Sequence, residues 1–184
     1  MAMVDALITA DDYFDAAASV REPTQLIDGV IVPSQPKLRH QQTAGLIYAR
    51  LLAWTRSDGH GLAGLPIDMI IDGYNVFAPD VWWVADPARL DPDEYFRGVP
   101  DLAVEVRSPS TWHYDVGAKR RRYEQYGLPE LWLVDTTGRV VTVLRRSEAA
   151  VRTFDVEQKV TVDEALTSPL LPGFALPLAE VLAG

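Results

Sequence analysis

Apolar and polar residues follow two periods along this chain, one typical of helices and the other of strands. Residues 38–56 repeat apolar positions at helical spacing, which predicts an amphipathic helix. Residues 8–18 predict a shorter helix, because Thr9 is a favoured N-cap and acids follow in the first turn. Residues 111–126 predict a third helix, which ends before Gly127.

Short apolar runs between turn residues predict the strands. Asp28-Gly29 within residues 24–32 predicts a two-residue hairpin turn, and Asp72-Gly73 predicts a turn between strands 67–71 and 74–77. The other predicted strands are 81–85, 102–106, 131–134, 140–144 and 151–154, of which the last two pair as a hairpin.

The order of these elements predicts the fold class. One helix crosses between the apolar strands 102–106 and 131–134, and a crossover of that length joins parallel neighbours. The hairpins are antiparallel, and residues 86–100, with their prolines and acids, predict a loop. The sequence therefore predicts an α+β (mixed α/β) fold, with a mixed β-sheet flanked by helices, in a single domain over residues 1–184.

Composition and charge narrow the possible locations and partners. The chain contains no cysteine, which excludes disulfides and thiolate metal sites. Its N-terminus does not resemble a signal peptide, and no apolar run approaches the roughly 20 residues that span a bilayer, so we expect a cytoplasmic protein without a membrane partner. The formal net charge of −9 opposes binding to nucleic acid over the whole surface, although the basic run 119–122 offers a local basic surface.

The candidate chemistry lies mainly in residues 100–135, PDLAVEVRSPSTWHYDVGAKRRRYEQYGLPELWLVD. Glu105 lies in a predicted buried strand, and Asp80 begins the preceding strand, so the two can lie side by side about 5 Å apart. Lys119 projects from the following helix on the same face as Asp115. Two acids and one lysine are sufficient in outline for metal-dependent phosphodiester hydrolysis, because the acids bind Mg²⁺ and the lysine orients water or stabilises charge.

Three further residues are accessory candidates. Arg107 shares the face of Glu105, where many metal nucleases keep a lysine, but a guanidinium holds its proton and activates water poorly. His40 can bond to phosphate or to a site acid, although a lone histidine is more often a capping or packing residue. Asp101 is about 13 Å along the strand from Glu105, which favours a role at the start of the strand. For Lys119 the simplest alternative is an ion pair within its own helix.

The motifs together resemble a known family. They are Pro79-Asp80, residues 100–106, Ser108-Pro109-Ser110-Thr111, Asp115, Lys119, Tyr123, Gly127, Glu130, Trp132 and Asp135, with Leu26-Ile27-Asp28-Gly29, His40 and residues 168–174 elsewhere. This set resembles the Uma-two family of putative restriction endonucleases, a branch of the PD-(D/E)XK nuclease superfamily. The resemblance implies a restriction-endonuclease-like fold, Mg²⁺ (or Mn²⁺) held by Asp80 and Glu105, and DNA as substrate. It also implies that Lys119 replaces the lysine that the superfamily keeps at the position of Arg107.

Two alternatives to a nuclease stay open at this point. Arg107 and the acidic charge are consistent with a degenerate nuclease fold that binds nucleic acid or a protein without cutting. A structural or interaction module predicts exposed positions for the three candidate site residues, Asp80, Glu105 and Lys119. We also expect a homodimer, because cutting both strands of a duplex needs two sites, with the apolar segments after Val140 as the predicted interface.

Overall fold

The computed structural model describes residues 7–17, 22–58 and 60–182, which form two large β-sheets, a small two-stranded ladder and the helices that cover them. The helices are α1 (Ala10–Ala17), α2 (Leu38–Asp58), α3 (residues 112–125) and a short C-terminal helix (Ala179–Leu182), and Pro87–Arg89 forms a 3₁₀ turn. The strands are β1 (Thr24–Ile27), β2 (Val30–Pro33), β3 (Leu62–Gly64), β4 (Met69–Asp72), β5 (Asn75–Phe77), β6 (Val81–Val84), β7 (Phe96–Arg97), β8 (Leu102–Val106), β9 (Glu130–Asp135), β10 (Val140–Arg145), β11 (Val156–Thr161), β12 (Ala165–Leu166) and β13 (Leu176–Pro177). Within these ranges no helix combines the length and the apolar character needed to cross a bilayer.

Both large sheets are mixed, which confirms the predicted fold class. The six-stranded sheet has the order β11-β10-β9-β8-β6-β3, and β8 and β9 are its parallel pair. The predicted crossover is therefore confirmed, with α3 joining β8 to β9. The five-stranded sheet has the order β2-β1-β5-β4-β7, in which β4 and β7 are parallel.

The six-stranded sheet lies between α2 and α3. On one face, Leu102 and Val104 of β8 pack in the same core cluster as Leu51 of α2. On the other face, Ala103 packs in the same cluster as Tyr123 of α3. Because side chains alternate along a strand, residue 105 of β8 points to the α3 side of the sheet.

Local turn and cap chemistry agrees with the sequence. Asp28 and Gly29 both have positive φ, 48° and 76°, as a two-residue hairpin turn between β1 and β2 requires. At the start of α1, the Asp12 backbone N–H donates to Thr9 Oγ1 at 3.2 Å, so Thr9 is the predicted cap. Residue 18 of the predicted first helix lies outside the described ranges.

Three predictions about strands are corrected by the structure. The partner of β10 is β11, residues 156–161, whereas the predicted strand 151–154 lies in the preceding loop. That loop is held by Arg146, whose guanidinium donates to backbone carbonyls, including that of Val151 at 2.6 Å. Residues 62–64, where no strand is predicted, form β3, and the predicted loop 86–100 contains the short strand β7. Tertiary pairing decides these short segments, since their local propensity is weak.

The apolar tail belongs to the core of the chain itself. Leu166, Leu171, Phe174, Leu176 and Leu178 are all buried and pack with α2 and the six-stranded sheet. The predicted dimer interface in the segments after residue 140 is therefore wrong, because those apolar side chains are already covered.

Gly64 of β3 is pressed against the indole of Trp82, which makes it a sensitive test of packing. An added Cβ on Gly64 would lie 1.9 Å from Trp82 Cζ2, and the indole is held by an Nε1–H bond to the Leu65 carbonyl at 2.6 Å. We expect Gly64→Ala to lower the free energy of unfolding by about 1–3 kcal/mol, measured by urea denaturation. Gly73→Ala is the control, because its Cβ meets no atom within 4 Å, and equal losses in both variants would contradict the prediction.

Candidate active site

Lys119 lies buried between two carboxylates. Its Nζ is 2.7 Å from Glu105 Oε1 and 3.0 Å from Asp115 Oδ1. The Tyr123 hydroxyl donates to the same Glu105 Oε1 at 2.8 Å. Lys119 and Glu105 are only 1% and 2% exposed, so these interactions act in a medium of low dielectric. An unpaired charge in such a place is costly, which makes the members of the group interdependent.

One face of α3 carries three of these side chains. Asp115, Lys119 and Tyr123 are spaced four residues apart and therefore follow one another along the helix. Residues Asp115–Lys119 form a π-helical turn, between the first turn Trp112–Tyr114 and the α-helical end Arg120–Gln125. Such turns are frequent at functional sites. This face of α3 lies over the strand that carries Glu105.

Asp80 lies next to this group from the neighbouring strand. The β6–β8 register pairs Val81 with Val104, so one step further along the two strands Asp80 lies beside Glu105. Asp80 Oδ2 accepts a hydrogen bond from the Val106 backbone N–H at 2.7 Å. We name Asp80, Glu105, Asp115, Lys119 and Tyr123 the Lys119 cluster.

The cluster contains more acid than base. Burial raises the pKa of Glu105 to about 8, and repulsion from Asp115 and Asp80 adds to the effect, although Lys119 opposes it. Burial likewise raises the pKa of Asp115. Desolvation opposes the charge on Lys119, but the attraction of Asp115 and Glu105 outweighs it and raises its pKa. Lys119 therefore stays protonated. Its single positive charge cannot balance the three carboxyl groups beside it when all of them are ionised.

The carboxylates of the cluster could bind an ion without forming a closed cage. Glu105 Oε1 accepts from Tyr123 and lies against Lys119, and Asp80 Oδ2 accepts from the Val106 N–H. Among the residues that the structure describes, no three histidine, aspartate or glutamate side chains are arranged to hold one ion. Mg²⁺ needs only one or two carboxylates, because it retains several waters. The donor set therefore fits Mg²⁺ bound by two acids, not a closed cage of protein ligands.

His40 of α2 joins the site through Asp80. Its Nε2 is 3.1 Å from Asp80 Oδ2, and its side chain is about nine-tenths buried. Its other ring nitrogen, Nδ1, is buried without a hydrogen-bond partner among the described residues. Both residues line a cavity of about 280 Å³.

Arg107 and Asp101 have partners outside the Lys119 cluster. The Arg107 Nη1 donates to both carboxylate oxygens of Asp135, at 3.0 and 2.9 Å. Asp101 Oδ2 accepts from the Ala85 backbone N–H at 2.8 Å and from Arg89 Nη1 at 2.9 Å, as expected of a residue that starts a strand. Neither side chain makes a described ion pair with the cluster, so the structure brings His40 to the site but not these two.

The basic run of α3 does not form the expected basic surface. Lys119 is buried, and Arg122 donates through Nε and Nη2 to Asp28 Oδ1 at 2.9 and 2.8 Å. Arg120 lies 3.9 Å from Glu157. Most of the positive charge of this run is therefore engaged within the chain.

Two contributions to the site were missed from the sequence. The sequence predicts Asp115 only as a helix partner of Lys119 and gives Tyr123 no role beyond the family resemblance, yet both contact the buried ion pair. Their four-residue spacing was the available indication. The interaction-module alternative is contradicted in one respect, because Glu105 and Lys119 are buried and not solvated.

Comparisons with known proteins show the family and the fold. A model of the Uma2 family, described as "Putative restriction endonuclease", matches residues 10–179. A crystal structure described as a putative nuclease belonging to DUF820 from Anabaena variabilis superposes with a TM-score of 0.75 at 16% identity, over 96% of this chain and 98% of that chain. At that identity the likeness shows a shared fold. A search of curated proteins gave no significant match.

Proposed function

This chain belongs to the Uma2 family of putative restriction endonucleases, and on that premise we propose that it is a metal-dependent DNA endonuclease that hydrolyses phosphodiester bonds. The observation that carries the proposal is the buried ion pair of Lys119 with Glu105, with Asp80 beside it. A buried excess of carboxylate is costly for stability. Such an arrangement is typical of sites tuned for chemistry.

Asp80 and Glu105 are the proposed ligands of Mg²⁺, with Mn²⁺ as the alternative ion. When bound, the metal supplies a Lewis acid that lowers the pKa of water and offsets charge on the phosphate. His40 Nε2 and the Val106 N–H both contact Asp80 Oδ2, which fixes this carboxylate beside Glu105. Lys119 stays protonated, so its proposed role is to orient water or stabilise developing charge, not to act as a base.

The direct test is a cleavage assay on single- and double-stranded DNA. We expect cleavage that requires Mg²⁺ or Mn²⁺ and stops in EDTA. The salt concentration must be varied, because the net charge of −9 suppresses the encounter with DNA most strongly when screening is weak. An absence of cleavage under all these conditions, with the metal still bound, would contradict the proposal.

A second candidate function is a degenerate nuclease fold that binds nucleic acid or a protein without cutting. Arg107 favours this candidate, because it occupies the usual position of the catalytic lysine and is engaged by Asp135. The two candidates differ in what Asp80→Ala does. In a nuclease it removes both metal binding and cleavage, whereas a pure binding module keeps its partner.

The raised pKa of Glu105 predicts how metal binding depends on pH. Because burial raises this pKa to about 8 without metal, protons compete with the ion for Glu105 at and below that pH. We expect the affinity for Mg²⁺ to rise with pH and to level off above about 8, with proton release on binding below that pH. Calorimetry in buffers of different ionisation enthalpy measures the released protons. An affinity independent of pH from 6 to 9 would contradict this assignment.

We also propose that the protein acts as a homodimer, since two copies bring one site to each strand of a duplex. The interface is not the tail, whose apolar residues are buried within the chain. Light scattering at micromolar concentration distinguishes a dimer from a monomer, and a monomer would remove this part of the proposal.

A further inference from the structure

The cavity beside Asp80 and His40 has room for more than water. Its volume is about 280 Å³, roughly nine times the ~30 Å³ that one molecule occupies in liquid water. Asp80 is a proposed metal ligand, so a group held in this cavity lies next to the phosphodiester being cut. The cavity is therefore placed to hold part of the substrate.

His40 presents an unused hydrogen-bond acceptor at this cavity. In the neutral tautomer whose Nε2–H faces Asp80 Oδ2, 3.1 Å away, Nδ1 has a lone pair and no proton. Nδ1 is buried and has no partner in the described part of the chain. A buried acceptor without a partner is costly, and a ligand that donates a hydrogen bond removes this cost.

The rest of the lining combines apolar walls with uncharged polar side chains, which are Thr24, Gln25, Ser34 and Gln41. Pro23, Pro36, Pro66 and Ala44 provide apolar walls. Gln25 Oε1 accepts from the Ala78 N–H at 3.0 Å. The amide NH₂ of Gln25 is therefore the group that can donate a hydrogen bond to a ligand. Among residues 7–17, 22–58 and 60–182, no lysine or arginine lines the cavity, and Asp80 repels anions there, so the described lining does not suit a phosphate.

We propose that this cavity binds one unpaired nucleobase of the strand that is cut, an inference that rests on the proposed function. A nucleobase has apolar faces and an edge with both donors and acceptors, which match the walls, His40 Nδ1 and the Gln25 amide. A base inside a duplex cannot reach the cavity without leaving the stack. The substrate is therefore DNA with an unpaired nucleotide at the cleavage position, either single-stranded or flipped out.

The charge of the chain supports this choice. The net charge of −9 opposes phosphate contacts, and Arg122 and Arg120 of the basic run already contact Asp28 and Glu157. Contacts to phosphate normally supply most of the affinity for nucleic acid. Base contacts in the cavity compensate for their scarcity, and they also locate the strand relative to the metal ligands.

The experiment measures DNA binding by the full chain in EDTA, where no cleavage occurs. Single-stranded oligonucleotides carry an abasic site at each position in turn, and 2-aminopurine fluorescence reports an enclosed base. We expect one position at which the abasic substitution weakens binding about tenfold, and a fully paired duplex of the same sequence that binds at least tenfold more weakly. Equal affinities at all positions, or equal affinity for the duplex, would overturn the proposal.

Gly45 of α2 allows the cavity itself to be tested. It lies in the wall of the cavity, and an added Cβ meets no atom within 4 Å. Gly45→Trp is expected to abolish the abasic effect, whereas Gly45→Ala, which favours the helix but adds little volume, retains it. A folded Gly45→Trp protein with the full abasic effect would show that the base binds elsewhere.

Cleavage assays on the same substrates separate this inference from the proposed function. Position-specific base binding without any metal-dependent cleavage would refute the nuclease and leave the base cavity standing. Metal-dependent cleavage that is equally fast on an abasic strand, an intact strand and a duplex would refute the cavity and leave the nuclease standing.

Discussion

Replacement of Glu105 by glutamine is expected to lower the rate of metal-dependent cleavage by more than about 100-fold. Loss of a residue that only supports a metal ligand costs up to about 100-fold, and loss of a ligand itself should cost more. The amide has the same shape, so its oxygen still accepts from Tyr123 and Lys119. It has no negative charge with which to hold a divalent ion. Cleavage rate and metal affinity, the latter by calorimetry, are both expected to fall.

The same substitution is expected to leave the fold intact and to stabilise it at higher pH. A carboxylate whose pKa is raised from 4.5 to about 8 on folding lowers stability as pH rises through that interval. Glutamine has no such penalty, so urea unfolding should show Glu105→Gln similar to wild type at pH 4.5 and more stable at pH 8. This combination of gained stability and lost activity is typical of a strained functional site.

Glu157→Gln is the matched control for Glu105. Glu157 lies on β11 and is exposed to solvent, unlike Glu105. Its ion-pair contact is a 3.9 Å approach to Arg120. We expect wild-type cleavage and a change in stability within about 0.5 kcal/mol. Full cleavage by Glu105→Gln would show that Glu105 is not a metal ligand.

The sequence predicted the elements with strong local patterns. The Asp28-Gly29 turn, the α2 periodicity and the crossover from residue 106 to residue 131 each follow from short-range chemistry, and the structure contains all three. The strand β11 and the short β3 were missed, because β11 (VEQKVT) is mostly polar and β3 has only three residues, so each carries a weak local pattern. Pairing across the sheet decides such segments more than propensity does.

The site was only partly predictable for the same reason. The contacts of Asp80 with His40 and of Glu105 with Lys119 join residues 40 and 14 positions apart, and only the fold brings them together. Periodicity placed Lys119 in a run of four basic residues that resembles a solvated helix face. In the structure Lys119 is buried instead, because it pairs with the carboxylates of Glu105 and Asp115, and Tyr123 bonds to the same Glu105 oxygen.

Replacement of Lys119 by alanine is expected to destabilise the protein by about 3–5 kcal/mol and to remove cleavage. The variant leaves Glu105 and Asp115 buried without their counter-ion, and breaking a buried pair in this way is strongly destabilising. The acids can relieve the repulsion by binding protons, so the loss of stability should grow as pH rises. Urea unfolding of wild type and variant between pH 5 and 8 measures this trend.

A second variant separates the stability effect from the chemistry. Lys119→Met fills the same space without a charge, and combination with Glu105→Gln removes one of the two stranded acids. We expect the double variant to regain a large part of the lost stability but none of the cleavage, with a coupling energy in the 0.5–3 kcal/mol range. Additive stability losses would contradict a direct interaction between the two side chains.

Lys119→Arg and Arg107→Ala identify which cation acts in cleavage. Arginine at position 119 is not expected to restore activity, because the buried site fits an ammonium and a guanidinium is larger and differently shaped. Arg107→Ala should cost about 1 kcal/mol of stability or less and only part of the activity, because its ion pair with Asp135 is partly exposed. If Arg107→Ala instead abolishes cleavage while a folded Lys119→Met protein still cuts, the roles are reversed, and Lys119 serves only to neutralise the acids beneath α3.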